Sequence, residues 1–215
     1  MNIVNRRRYM GKKEVDTNVV DLGLPSGTLW AKGNICKDSQ GNYYIGDETE
    51  RGCYFAWGEI EGYNDAAERN VVLNRSDGFS SDAYIATGGA AIEALHVDLT
   101  SENDAASVNI QNGYRMPRSA DFKELINNCT FEFAYYLRGV RGALCAGPNG
   151  KQIFLPCSTR YNGNDLGRDI FGYYWSSTYY SFGWRKSPMQ LTFWSEIQVQ
   201  YNFEPYTGLT IRPVK

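Results

Sequence analysis

Apolar and polar positions follow two different spacings along this chain, and each spacing predicts a type of secondary structure. Over residues 119–129, apolar side chains recur at i, i+3, i+4 and i+7, which predicts an amphipathic helix with Ser119 as its N-cap. The apolar stripe consists of Phe122, Leu125, Ile126 and Cys129. Short runs that alternate or stay apolar between turn residues predict strands. These runs are Gln152–Leu155, Tyr173–Ser177, Met189–Phe193, Glu196–Tyr201 and Gly208–Val214.

The first half of the chain carries weaker patterns. In Val19–Trp30, apolar pairs are broken by Pro-Ser-Gly, which predicts two short strands joined as a hairpin. The aromatic run Gly52–Gly58 is predicted to be buried, whereas residues 61–112 are predicted to form irregular loops with one helical turn near Ala90–Leu95. The chain is therefore predicted to be one α+β domain, with one or two helices and a mostly antiparallel, loop-rich β-sheet, spanning residues 18–215.

Residues 1–17 are predicted to form a basic N-terminal arm. Arg6–Arg8, Lys12 and Lys13 supply its charge, and no apolar segment follows them, so the arm does not read as a secretory signal. Either a signal has been removed, or the protein leaves its cell by another route, such as incorporation into a virus particle. A solvated arm is favoured over one that contacts nucleic acid.

Aromatic residues are concentrated near the C-terminus. Between Phe171 and Tyr206, the aromatics are interleaved with Ser, Gly and Asn and accompanied by few charges, which is typical of a recognition surface. The alternative is that these rings fill a β core. Doublets such as Tyr179-Tyr180 favour the surface for the cluster as a whole, because neighbouring side chains on a strand point to opposite faces.

Charge and composition exclude several classes of function. The formal net charge is −2, so no overall field attracts nucleic acid or an anionic membrane, and no apolar run is long enough to span a bilayer. No phosphate-binding glycine loop and no HExxH motif occurs. The acidic run Asp47, Glu48 and Glu50 fits a solvated loop better than a calcium site.

Cysteine and histidine give no catalytic or metal site. The five cysteines form no CxxC pair, which argues against zinc, and both disulfides and buried thiols fit their spacing. His96, the single histidine, has no cysteine or serine motif beside it and is interpreted as a surface or partly packed residue. We therefore predict no catalytic residue, no cofactor and no metal.

Some residues are predicted to have structural roles. Trp30, Trp57 and Trp175 read as core anchors. Arg115 and Arg212 stand beside prolines and apolar residues, where a guanidinium usually pairs with a carboxylate or carbonyls, and Glu59 is a candidate partner. Gly172 and the turn Asn149-Gly150 are predicted to supply positions with positive φ.

Six ordered motifs carry a family resemblance. They are VDLGLPSGTLWAKGNI (20–35), YFAWGE (54–59), YRMPRSADFKELINNC (114–129), GPNGKQIFLP (147–156), GYYWSST (172–178) and GLTIRPVK (208–215). In order and spacing they resemble the paralogous-domain family abundant in Bacteroidetes and Fibrobacter. That resemblance implies a C-type-lectin-like fold, similar to that of the formylglycine-generating enzymes. The calcium triplets of sugar-binding lectins and the C-terminal cysteine pair of the oxidases do not occur here, which argues against both chemistries.

The resemblance also implies a function. In C-type-lectin-like folds, the stretch between the GYYWSST and GLTIRPVK motifs builds the exposed loops and the strands that face a ligand. Variable proteins diversified by retroelements carry their mutable residues in this stretch. There, adenine-directed mutagenesis turns Asn codons into Tyr, Ser, Phe and similar residues. Trp184 and Trp194 cannot arise from an Asn codon, so these positions are interpreted as scaffold or as products of ordinary evolution. The N-terminal NRRRYMGKK resembles leaders of Bacteroides phage proteins, which points to a virion or cell-surface location.

The sequence thus predicts a non-catalytic module that binds a protein or glycan on a target cell, as an adhesin does, without nucleic acid or membrane insertion. The alternative is an assembly subunit, such as a trimeric fibre tip, whose aromatic face contacts other subunits; an oxidase is a third, less favoured hypothesis. The candidate ligand-binding residues are Tyr161, Tyr179, Tyr180, Ser181, Phe182, Trp184, Trp194, Ser195, Tyr201, Asn202 and Phe203.

Overall fold

A computed structural model describes residues 16–163, 165, 166 and 169–215. The basic residues of the predicted arm, Arg6–Arg8, Lys12 and Lys13, and Asn164 of the predicted turn lie outside the described residues. The helices are α1 (Ala66–Leu73), α2 (Ser81–Ala86), α3 (Gly89–Glu93), α4 (Ala105–Asn109) and α5 (Ser119–Asn128). The strands are β1 (Val19–Asp21), β2 (Leu29–Ala31), β3 (Ile35–Lys37), β4 (Tyr43–Ile45), β5 (Thr130–Leu137), β6 (Val140–Ala146), β7 (Gln152–Pro156), β8 (Tyr161–Asn162), β9 (Asp165–Leu166), β10 (Gly172–Phe182), β11 (Arg185–Phe193) and β12 (Ile197–Gln200).

The strands form several small antiparallel sheets rather than one large sheet. Two sheets have three strands, in the orders β5-β6-β7 and β10-β11-β12. Three further pairs are two-stranded, β1-β2, β3-β4 and β8-β9. With the five helices of the described residues, this mixture of helix and sheet is loosely compatible with the α+β class. In the described part of the chain, no helix is both long and apolar enough to cross a membrane.

The elements with the clearest patterns are confirmed. Helix α5 covers the predicted segment, with Phe122 and Leu125 buried and Ile126 and Cys129 packed against the same core. Its N-cap is Arg118 rather than Ser119, because the Asp121 carboxylate accepts a hydrogen bond from the Arg118 backbone N–H at 2.7 Å. The hairpin predicted in Val19–Trp30 is present as β1 and β2.

The prediction of one or two helices was wrong. Helix α3 confirms the helical turn predicted near Ala90–Leu95, but α1, α2 and α4 occupy positions where irregular loops were expected. Side chains of Asp65, Ser80 and Asp104 accept hydrogen bonds from backbone N–H groups at the starts of α1, α2 and α4. These helices are too short to develop an apolar stripe, so the residue pattern did not reveal them.

Two strand assignments also need correction. The β5-β6 hairpin was not predicted; its turn is formed by Arg138 and Gly139, with φ of 47° and 83°. The run Gly208–Val214 does not form a strand. It makes isolated bridges to separate partners instead, pairing Leu209 with Phe55, Thr210 with Tyr174 and Val214 with Trp30 and Arg115.

The sheet β10-β11-β12 stands between two hydrophobic cores. Tyr174, Leu191 and Phe193 pack into one core with helix α5 and the β5-β6-β7 sheet. Tyr173 and Trp175, which alternate with them along β10, pack into the other. All three predicted anchors, Trp30, Trp57 and Trp175, are buried. The strands that carry the candidate site are therefore fixed from both faces over their inner halves.

Buried arginines tie distant segments together. Arg212 is fully buried and donates to Asn34 Oδ1 and to the carbonyls of Ala31, Lys32 and Phe154, as predicted for a guanidinium in this context. Arg115 pairs with Asp121. The prediction that Glu59 is a partner of Arg115 or Arg212 was wrong. Glu59 pairs with Arg69, which is also fully buried.

The two predicted glycine positions differ. Gly150 has φ of 79°, as predicted for its turn. Gly172 is not among the residues with positive φ, so that prediction was wrong. It is needed for close approach, because a Cβ there would lie 2.0 Å from the Phe193 ring.

Candidate functional site

A long β-hairpin forms the candidate site. Strands β10 and β11 pair up to Phe182 and Arg185, leaving Gly183 and Trp184 as a two-residue loop. Gly183 has φ of 60°, as the first central position of a type II′ hairpin turn requires. Residues 181–186 are exposed, whereas most of the inner hairpin is buried. The sequence thus builds a rigid stem with an exposed tip.

The aromatic cluster divides between the core and the surface. Tyr173, Tyr174, Trp175, Tyr179 and Phe193 are buried. Phe182, Trp184 and Trp194 are exposed, at 77%, 84% and 52% of their surface. The remaining rings of the segment are half-buried: Phe171, Tyr180, Tyr201, Phe203 and Tyr206. The segment therefore supplies core rings as well as exposed rings.

Two candidate residues are in the core, which corrects their expected exposure. Tyr161 is buried and packs against Tyr54 and Phe79. Tyr179 packs on Trp57, and its hydroxyl donates to Glu93 Oε1 at 2.9 Å. Burial and this carboxylate raise the pKa of the Tyr179 hydroxyl. The strand alternation that brings Tyr180 to the surface sends Tyr179 inward.

Stacked side chains organise the tip. The rings of Tyr180 and Tyr201 lie parallel, with centroids 4.2 Å apart and planes inclined by 10°. The Arg185 guanidinium lies 4.9 Å from the Trp184 ring centroid, and its Nη1 donates to the Tyr201 hydroxyl at 3.2 Å. Stacking and cation–π contacts of this kind hold large side chains in place at a solvent-exposed position. The tip is therefore ordered before any partner binds.

An open groove of about 480 Å³ lies between the tip and the segment that follows β12. The candidate residues Trp184, Tyr201, Asn202 and Phe203 line it. Charged and polar groups that the candidate set omitted complete it: Glu93, Arg185, Lys186, Ser187 and Glu204. Arg185 and Lys186 are the first charged residues after the aromatic stretch opens, and that position was the available signal for them.

A second group of rings lies on the same three-stranded sheet. Phe171 contacts both Tyr173 and Trp194, with centroids 5.7 Å apart in each pair. Phe203 packs edge-on against Tyr173, and the Arg160 guanidinium lies 4.8 Å from the Phe203 ring centroid. Trp194 is thus joined to the groove residue Phe203 through Phe171 and Tyr173.

The polar candidates are placed at the surface. Ser181 is exposed on the tip, and Ser195 is exposed beside Trp194. Asn202 is exposed and contacts the Gln190 side chain. The structure brings Tyr180, Ser181, Phe182, Trp184, Tyr201, Asn202 and Phe203 to the hairpin tip and groove, and places Trp194 and Ser195 at the other end of the sheet.

A larger cleft, of about 680 Å³, lies beside the C-terminus. Its polar groups already bind one another. Asp16 accepts hydrogen bonds from the Tyr114 hydroxyl at 2.8 Å and from Lys215 Nζ at 2.9 Å. Because these groups are already satisfied, the hairpin groove is the better candidate for a ligand.

The acidic loop is engaged by a cation of the protein itself. Arg138 pairs with Asp47 at 3.0 Å and with Glu48 at 2.8 Å. Glu50 accepts a hydrogen bond from the Asp47 backbone N–H. Within residues 16–163 and 169–215, no three His, Cys, Asp or Glu side chains are grouped so as to hold a metal ion.

All five cysteines are free thiols, and four of them are buried. His96 lies against the hairpin, with its ring tilted by 32° against that of Tyr179 and the centroids 5.5 Å apart. Its Nδ1 is 3.3 Å from Lys186 Nζ. This contact joins the helical segment to the candidate site.

Comparison of the chain with protein-family models finds no match. Comparisons with curated proteins and with solved structures likewise find no significant match.

Proposed function

We propose that this protein is a non-catalytic binding module with a C-type-lectin-like fold, which presents the tip of the β10-β11 hairpin to a protein or glycan on a target cell surface. The observation that carries the proposal is the exposure of Phe182 and Trp184, 77% and 84%, on a tip whose stem is buried. Large rings held rigidly in solvent are costly to the free protein and are characteristic of interaction sites.

The contacts around these two rings support the proposal. Tyr180, Tyr201 and Arg185 are arranged by stacking and by a hydrogen bond, so little side-chain entropy is lost when a partner binds. Tyr, Trp and Arg are the residues most often found to dominate binding energy. Tyr136, which is 61% exposed on β5, lies outside this group and has no part in the proposed surface.

The test is binding of the full chain to panels of cell-surface proteins and glycans. The double variant Phe182→Ala/Trp184→Ala is expected to lose affinity by at least about 30-fold, which is the effect of removing one binding hot spot. The matched control Tyr136→Ala removes another exposed ring and is expected to bind as the wild type does. If the tip variant and the control variant both bind with wild-type affinity, the tip is not part of the binding site.

Light scattering on the same proteins addresses the assembly alternative. If the wild type is an oligomer, such as a trimer, and the tip variant dissociates it, the rings serve contacts between subunits. If the oligomeric state is the same in all three proteins while binding is lost, the rings serve an external target.

We further propose that the surface is diversified by a retroelement in a phage or cell-surface protein of Bacteroides-like origin. Tyr180, Ser181, Phe182, Tyr201 and Phe203 are compatible with mutated Asn codons and are exposed or half-buried. A reverse-transcriptase gene beside the coding region, with a near-copy of its 3′ end, is the expected genomic context. Its absence from every closely related genome would oppose this part of the proposal.

A further inference from the structure

We infer that the hairpin groove binds an acidic peptide segment of a partner protein, with apolar side chains against Trp184 and Tyr201 and carboxylates on Arg185 and Lys186. This inference rests on the proposed function and narrows it. It chooses a protein target over a glycan.

Two positively charged side chains of the groove favour an acidic ligand. The ion pairs formed among the described residues include neither Arg185 nor Lys186. Arg185 uses Nη1 for the Tyr201 hydroxyl, which leaves further guanidinium N–H groups for a ligand. Lys186 Nζ lies 3.3 Å from His96 Nδ1, which accepts a hydrogen bond from the ammonium in the tautomer that carries its proton on Nε2. Two adjacent cations that have no carboxylate partner among the described residues are complementary to acidic side chains.

Two carboxylates line the same groove. Glu93 and Glu204 line this groove together with Arg185 and Lys186. The Glu93 carboxylate already accepts a hydrogen bond from the Tyr179 hydroxyl. A ligand that is acidic along its whole length would meet repulsion from Glu204, so the carboxylates of the bound segment are expected next to Arg185 and Lys186 only.

The shape of the tip favours a peptide over a sugar. Sugars stack on the open faces of aromatic rings, but Tyr180 and Tyr201 cover one face of each other. Arg185 lies over the Trp184 ring. What remains accessible is a protruding rim, with Phe182 and Trp184 beside a groove of about 480 Å³. Protein interfaces use such protruding aromatic and arginine side chains as anchors.

The experiment selects a phage-displayed library of random peptides against the full-length wild-type protein. We expect enrichment of peptides that carry Asp or Glu next to Leu, Ile or Phe. Arg185→Glu/Lys186→Glu is expected to bind the selected peptides at least about tenfold more weakly, and to enrich basic peptides in its own selection. Lys151→Glu, which reverses another exposed lysine, is the matched control and is expected to bind as the wild type does.

A glycan array and a thermal-unfolding scan accompany the selection. Arg185, Lys186 and Lys151 are all exposed, so their substitution is expected to leave the unfolding temperature unchanged. An unchanged unfolding temperature reports that the fold is intact. Selection without acidic enrichment, or the same peptides from the charge-reversed variant, would overturn the inference. Glycan binding that Trp184→Ala abolishes, without peptide binding, would overturn the inference and leave the proposed function standing. If no binding in either assay depends on the tip, both are wrong.

Discussion

The buried pair of Arg69 and Glu59 provides a quantitative test of how the helical segment is held. Arg69 Nη1 and Nη2 donate to the Glu59 carboxylate at 2.6 and 3.0 Å, and Nε donates to the Gly78 carbonyl at 2.6 Å. The guanidinium also lies 5.0 Å from the Tyr63 ring centroid and 4.5 Å from that of Phe79. Substitution Arg69→Met keeps the apolar stem and removes every one of these polar contacts.

The expected loss follows from burial. Glu59 is nearly inaccessible and Arg69 completely so, so the substitution leaves a buried carboxylate without its counter-ion. Removing one member of such a pair costs about 3–5 kcal/mol. With a urea dependence of about 2 kcal/mol per M, the midpoint of urea unfolding should fall by about 1.5–2.5 M. Because domains are stable by only roughly 5–15 kcal/mol, this loss is large.

Equilibrium urea unfolding of three variants separates the causes. Arg69→Met/Glu59→Leu removes both charges and is expected to recover at least about 2 kcal/mol of the loss, because well-packed apolar residues can replace a buried ion pair. Arg75→Met breaks the partly exposed pair with Asp77 and should cost less than about 1 kcal/mol. If Arg69→Met costs no more than Arg75→Met, the reasoning about the buried pair is refuted.

Three smaller predictions concern the core. Alkylation at about pH 8 should label only Cys129 in the folded protein, because its hydrogen bond with Cys145 lowers the pKa of the Cys129 thiol. Burial instead raises the pKa of Cys36 and Cys53 to about 12 and that of Cys157 to about 11. Mass spectrometry that finds no reactive thiol, or several, would contradict this. Gly172→Ala should cost at least about 1–3 kcal/mol in urea unfolding, since its Cβ would clash with Phe193; a loss within error would refute the close approach. Tyr174→Phe should cost about 1 kcal/mol, since it leaves the buried Pro156 carbonyl without its 2.6 Å hydrogen bond, and unchanged stability would argue against that bond.

Residue spacing was sufficient for elements that bury one face against a neighbour. Helix α5 has a four-residue apolar stripe, and the segment Gly52–Gly58 places five consecutive buried residues between glycines. Helices α1 to α4 begin with side-chain or backbone caps but expose apolar residues such as Val71 and Ile85, so their pattern carries no helical period. Tertiary packing, rather than residue spacing, decides these elements.

The candidate site was predictable in position but not in its separation into core and surface. Alternation along β10 sends Tyr179 inward, where Trp57 and Glu93 come from distant segments that spacing alone cannot place beside it. Tyr161 is likewise buried by residues from distant segments, Tyr54 and Phe79. The hairpin turn at Gly183 returns the cations Arg185 and Lys186 to the groove that Trp184 and Tyr201 line.

The affinity of the tip variant for a surface target is the most direct measurement of the central claim, that a buried stem carries Phe182 and Trp184 as the recognition surface. For a target captured by the wild type, we expect the dissociation constant of Phe182→Ala/Trp184→Ala to rise at least about 30-fold, while that of Tyr136→Ala stays within about threefold of the wild-type value. An equal dissociation constant for all three proteins, with unfolding curves unchanged, would contradict it.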